Sequence, residues 1–268
     1  MTELHGALRL TYRDDIALME MIRPKQYNPL SNDLKAAFDE ALRTLEKRAD
    51  LKGVILTGSD GVFSAGGDLK AMHADHQAGT YGGAEDYLTR IRQGHAWLRI
   101  LRNLPVPVIA AVDGAAVGAG LALALACDLV LITERSKFGA PFCKVGLAPD
   151  FGLMYALPRT VGLQRAREMF YTGRTIDAEE AIRIGIGLEI VPHASLMDRA
   201  WDMARQMAQS SSAAFSLTKQ ISAQAMESDA ETLLRMEQQA HAILLASRYN
   251  AEAAERFTNK EPLRFNFT

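Results

Sequence analysis

The sequence predicts an α/β core followed by a helical region. Three observations carry that reading. Short apolar runs of strand character alternate with helix-spaced stretches as far as Ile184. Glycine-containing turns punctuate the alternation. From Leu196 the composition changes, and four helical stretches occupy the rest of the 268 residues. With no Pro/Gly-rich linker between them, residues 1–195 are expected as the core and 196–268 as a helical region integrated with it.

The elements follow in order. Leu8 to Tyr12 and Ile16 to Met19 flank Arg13-Asp14-Asp15 and read as a hairpin ending before Arg23-Pro24. Leu34, Ala37, Phe38, Ala41, Leu42 and Leu45 recur at helical spacing behind a cap at Ser31 or Asn32. Val54 to Thr57 is a buried-strand candidate, with a turn over Gly58 to Gly61. The stretch Ser64 to Lys70 is a glycine-rich turn able to feed a helix. Met72 to Gly83 has no sustained apolar period and is expected as a surface loop. A helix follows over Tyr87 to Leu101, then a strand over Val106 to Val112. Residues 114–127 alternate ambiguously, but their Ala and Leu content favours helix, with Leu129 to Ile132 returning as strand. Pro158 to Phe170 and Ala178 to Ile184 are helical in character.

Composition excludes several classes. Apolar residues are 48% and charged residues 23%, with 30 Lys+Arg against 32 Asp+Glu. A disordered chain, a collagen-like fibre and a strongly basic nucleic-acid binder do not fit these values. Two cysteines, Cys127 and Cys143, make no disulfide framework and suit a reducing compartment. Asp113 and Asp128 interrupt the longest apolar region, leaving too short a piece to cross a bilayer. The first residues lack the character of a secretory or transit peptide, so a cytoplasmic location is expected. Around His5, His73, His76 and His193 the sequence places no Cys or carboxylate at a recognisable metal-ligand spacing, and no metal site is expected. No full GxGxxG with a later acidic partner supports dinucleotide binding.

Six segments, taken together, resemble the enoyl-CoA hydratase/isomerase family, the crotonases. They are SAGGDLK at 64–70, PVIAAVDGAAVGAG at 107–120, ACDLVL at 126–131, FGAPFCKVGLAPDFG at 138–152, LPRTVG at 157–162 and TGRTIDAEEAIRIGI at 172–186. The resemblance implies a core of repeated ββα units, a C-terminal helical trimerisation region, and homotrimers or homohexamers. It implies an acyl-CoA thioester as substrate and no permanently bound cofactor.

Carried over residue by residue, the resemblance puts the two backbone N–H donors of an oxyanion hole on Gly67 and Ala119. Small residues there let peptide N–H groups approach one oxygen closely. Where the family's hydratases carry two glutamates, this sequence has Ala122 and Phe142, neither able to transfer a proton. Asp150 matches the aspartate that serves as base in single-aspartate and dienoyl-type isomerases. Packing against Phe142 and Phe151 is expected to raise its pKa; Pro149-Asp150 is equally a common turn pair. His95 matches the water-activating histidine of 4-chlorobenzoyl-CoA dehalogenase, in which an aspartate at the Asp150 position attacks the ring. Phe142 lacks the indole N–H found there, and a packed or surface histidine is the ordinary outcome in a helix.

Ala122, Phe142, Phe151 and Tyr155 are candidates for an acyl pocket. For CoA, the resemblance points to Arg23 and Lys25, to the backbone at Ala65 and Asp68, and to Phe257 and Lys260 near the C-terminus. Lys70 serves either CoA or its own helix. The expected activity is an acyl-CoA isomerase with Asp150 as proton shuttle. The alternatives are a hydrolase or dehalogenase using Asp150 and His95, an atypical hydratase, and a non-catalytic acyl-CoA binder.

Overall fold

The computed structural model describes residues 2–80 and 82–267. Its first strands are β1 (Thr2–His5), β2 (Leu8–Arg13) and β3 (Ile16–Met21), an antiparallel meander. The expected hairpin is β2–β3, and β1 is an edge strand that its mixed polarity conceals in the sequence. Helix α1 (Asn32–Glu46) buries Leu34, Ala37, Phe38, Ala41, Leu42 and Leu45 along one stripe. Its cap is Ser31, whose side chain accepts from the Leu34 N–H at 3.2 Å.

After β4 (Gly53–Gly58) come α2 (Leu69–Gln77) and α3 (Ala84–Asn103). The presence of α2 corrects the surface-loop expectation for the start of 72–83. This helix buries no residue, so it has no apolar stripe to read; its start is fixed instead by the Asp68 side chain, which accepts from the Ala71 N–H at 3.0 Å. Next are β5 (Val108–Val112), β6 (Ala115–Val117) and α4 (Ala119–Ala124). The all-helical expectation for 114–127 is therefore wrong at its beginning. Ala115–Val117 pairs with a later strand, and that tertiary pairing overrides the helical preference of alanine.

The remaining core elements are β7 (Leu129–Ile132), β8 (Lys137–Gly139), α5 (Leu153–Val161), α6 (Leu163–Thr172), β9 (Thr175–Ile176), α7 (Ala178–Arg183) and β10 (Glu189–Ile190). Four helices follow: α8 (Leu196–Ala208), α9 (Ser212–Ser222), α10 (Ala230–Leu245) and α11 (Arg248–Thr258).

One sheet runs β1-β2-β3-β4-β5-β7-β10, parallel from β3 onward; a second runs β6-β8-β9. This is the expected α/β fold of repeated ββα units with a C-terminal helical region. The central strands are buried on both faces, as parallel strands require. On one face Val54, Leu56, Val108 and Ala110 join the main core with α1, α3 and α4. On the other, Ile55, Ile109 and Leu131 pack against Leu196, Ala200 and Trp201 of α8. The C-terminal helices are also tied in by charge. Lys219 of α9 donates to Asp128 Oδ2 at 2.7 Å and to the Val106 carbonyl at 3.2 Å. No described helix is long and apolar enough to cross a membrane.

Candidate active site

Two loops, one after β4 and one between β6 and α4, are locked against each other by glycines. An ideal Cβ on Gly66, which has φ +92°, would lie 2.5 Å from the Val117 carbonyl oxygen and 3.0 Å from the Ala119 nitrogen. One on Gly120 would lie 2.2 Å from the Ser64 oxygen. Only residues without a side chain permit that approach. Val117 N–H donates to Ser64 O at 3.0 Å, and Ser64 bridges Ala116 in a single parallel pair.

A buried polar bracket supports the first loop. Ser64 Oγ donates to the Asn28 carbonyl at 2.8 Å and accepts from Gly66 N–H at 3.2 Å. Asn28 donates through Nδ2 to Val62 O and accepts at Oδ1 from Arg23 N–H, both at 2.7 Å. The segment preceding α1 closes the bracket, with Leu30 N–H donating to Gly66 O at 2.8 Å. The structure thus brings Gly67 and Ala119 onto adjoining loops. Among the described hydrogen bonds, neither of their N–H groups has an acceptor. Ala119 opens α4, where the first backbone N–H groups have no intrahelical partner.

Asp150 lies on the third segment, immediately before α5. Phe151 holds a left-handed φ of 50° and Gly152 one of 78°. That conformation is rare for a bulky residue and is kept here by packing. The Phe151 ring meets His95 edge-on at 5.5 Å between centroids and Trp97 at 6.0 Å, while Trp97 stacks on Phe38 at 4.7 Å. The ring packs against α3 at Gly94, where an ideal Cβ would stand 3.6 Å from Phe151 Cζ, an ordinary van der Waals contact.

Three buried side-chain polar atoms lack a hydrogen-bond partner among the described residues: Asp150 Oδ1, His95 Nε2 and Trp97 Nε1. All belong to residues around the Phe151 ring. Buried polar atoms are ordinarily satisfied, so this grouping sets the corner apart as a candidate site. Burial pushes the Asp150 carboxyl above the usual carboxylate range, against the opposing pull of His95 and Lys35.

Lys35, absent from the sequence expectations, belongs to this corner. Its ammonium lies over the Phe151 ring at 5.7 Å. Burial pushes its pKa down, while Asp150 and Asp68 pull it back up. It occupies a half-buried position on α1, between the apolar positions Leu34 and Ala37 that periodicity identifies. Nothing in that spacing distinguishes it from a solvated lysine.

The other expected residues divide. The Phe142 ring sits beside the loop that opens α4, 3.8 Å from an ideal Cβ on Gly118. Ala122, Phe151 and Tyr155 line a cavity of about 230 Å³ between α3, α4, α5 and the segment after α9; Phe142 does not line it. Arg23 is ion-paired with Asp33, and Lys25 and Lys70 are exposed. Ala65 uses its N–H on the Tyr27 carbonyl at 2.9 Å, and the Asp68 side chain is the cap of α2. Phe257 is 76% exposed at the end of α11, and neither it nor Lys260 makes a described ring contact or ion pair with that set. No described cluster of His, Cys, Asp or Glu could hold a metal ion, and both cysteines are free.

The sequence matches the family Enoyl-CoA hydratase/isomerase over residues 11–267. Among curated relatives, the short-chain-enoyl-CoA hydratase of Clostridium acetobutylicum is 30% identical, covering 92% of this chain and 93% of its own. The 4-chlorobenzoyl coenzyme A dehalogenase-1 of an Arthrobacter species is 34% identical, covering 75% and 72%. Among solved structures, an enoyl-CoA hydratase/isomerase from Cupriavidus metallidurans CH34 superposes with a TM-score of 0.92 at 32% identity, over 98% of this chain and 97% of that one.

Proposed function

The chain belongs to the enoyl-CoA hydratase/isomerase family, and on that premise we propose that it is an acyl-CoA isomerase with Asp150 as its proton shuttle. The observation that carries this reading is the buried, unpaired Asp150 carboxyl. Its substrate is a CoA thioester whose carbonyl oxygen accepts from the Gly67 and Ala119 N–H groups. Ionised Asp150 takes a proton from an activated carbon of an unsaturated acyl group. The electron pair left behind moves into the thioester, and the oxygen gains negative charge between the two donors. Losing one such donor typically costs about 3 kcal/mol of transition-state stabilisation. The Asp150 carboxylic acid then returns its proton to a different carbon, which shifts the double bond and regenerates the base.

Residue types support isomerisation over hydration. Ala122 and Phe142 stand where the resemblance puts the hydratase glutamates, and neither can activate water. Lys35 contributes positive charge that favours ionised Asp150. Arg23, Lys25, Lys70, Phe257 and Lys260 are the groups proposed to meet CoA. By the same resemblance, the exposed apolar residues Leu234, Ile243 and Leu245 of the C-terminal helices suit contacts in a homotrimer or homohexamer.

A second reading, hydrolysis or dehalogenation through attack by Asp150, is favoured by one observation: His95 Nε2 is buried without a partner in the same corner. There His95 would activate the water that releases the covalent ester. A panel of straight-chain, aromatic and branched enoyl-CoA thioesters in deuterated water, followed by mass spectrometry, separates the readings. Isomerisation predicts shifted double bonds, deuterium at the acyl carbons and no adduct, with turnover falling about 10²-fold or more in Asp150→Asn. A covalent adduct or hydrolysed acid identifies the second reading. Binding without deuterium uptake identifies a non-catalytic acyl-CoA binder.

A further inference from the structure

The cavity beside Asp150 is chemically lopsided. Ala122, Leu125 and Ala126 make one part of its wall apolar; Arg102 and Arg159 supply its charge, and no acidic side chain lines it. The two guanidinium groups share one platform. Arg159 lies over the Tyr155 ring at 3.6 Å from its centroid and Arg102 at 4.6 Å. Their electrostatic situations differ. Arg159 donates to Glu227 at 3.1 Å and to the Tyr155 carbonyl at 3.1 Å, and Glu227 is not part of the wall. Arg102, exposed at the end of α3, makes no ion pair among the described residues. The aromatic stack orients it, which lowers the entropy lost when it binds an anion.

Resting on the acyl-CoA reading above, we infer that the preferred thioester carries a carboxylate at the far end of its acyl chain, received by Arg102. Ala122 on α4 and Leu125 just after it line the cavity, and on this reading the acyl chain runs from the Ala119 N–H along this helix towards Leu125. At the helical rise this spans roughly 9 Å, room for an acyl chain of about six to eight carbons. The apolar wall packs the methylenes, while the unpaired guanidinium offers the planar fork that matches a carboxylate. A methyl-ended chain of equal length forms no such ion pair.

The test compares two saturated CoA thioesters of the same length, one ending in a methyl group and one in a carboxylate, by isothermal titration calorimetry. The native protein is expected to bind the carboxylate-ended thioester at least about tenfold more tightly. In Arg102→Met that ratio falls to near one, and Arg102→Lys restores part of it. Equal affinities in the native protein overturn the inference, as does a preference that survives Arg102→Met. If neither thioester binds, the acyl-CoA reading fails as well, an outcome distinct from the loss of preference alone.

Discussion

The two glycine-locked loops of the proposed oxyanion hole and the Asp150 corner are built on opposite principles. At the loops, backbone does the work. Ser64, Gly66, Val117 and Gly120 are pressed together, and the Asn28 and Ser64 side chains complete their hydrogen bonds within the protein. At the corner, side chains do the work, and three buried polar atoms around Phe151 are unpaired. On the proposed mechanism, the contrast separates two tasks. Holding a charged oxygen calls for rigidity that is fully satisfied apart from the two donors. Moving a proton calls for a group whose ionised and neutral forms are close in free energy, and burial without partners achieves that.

The contrast breaks first at Gly120. Gly120→Ala drives a methyl group into the Ser64 carbonyl and is expected to cost about 3 kcal/mol or more in chemical denaturation, with thioester binding lost alongside. A fully stable, fully binding variant would show the loops to be looser than described. His95→Gln sharpens the comparison within the corner. Proton shuttling by Asp150 alone predicts less than about a tenfold fall in steady-state turnover, whereas an essential general base predicts about 10²-fold or more.

Lys35→Met removes a cation that pulls the Asp150 carboxyl down, so the acid limb of kcat/KM should move to higher pH. A limb that moves lower, or not at all, removes Lys35 from the site. The smallest effect is on stability. Because the native Asp150 carboxyl titrates above its unfolded value, the folded state binds the extra proton between those two values. Stability therefore falls as pH rises through that window. Asp150→Asn should then be more stable than the native protein at neutral pH, by on the order of 1 kcal/mol, with this advantage shrinking in acid.

The legibility of these features follows the same division. Elements that declare themselves locally were readable: the capped, amphipathic α1, the apolar β4, β5 and β7, and the four C-terminal helices. Helix α2 escaped because it buries nothing, and β6 because its alanines favour helix until β8 and Ser64 pair with it. As proposals, Gly67, Ala119 and Asp150 were legible through resemblance, since their motifs keep family order and spacing. Lys35 was not. Its role depends on how α1 lies against Phe151 and Asp150, a tertiary relation that no local pattern encodes. Arg102 was hidden for the same reason, because its significance comes from the Tyr155 ring and the cavity it lines.

The most direct measurement is a side-chain carboxyl NMR titration of Asp150, run beside the pH dependence of kcat/KM. A buried base predicts that the carboxyl titrates above the ordinary aspartate range and that the acid limb shares its midpoint. An Asp150 titrating at or below that range, or an acid limb that persists unchanged in Asp150→Asn, would contradict the assignment of Asp150 as the proton shuttle.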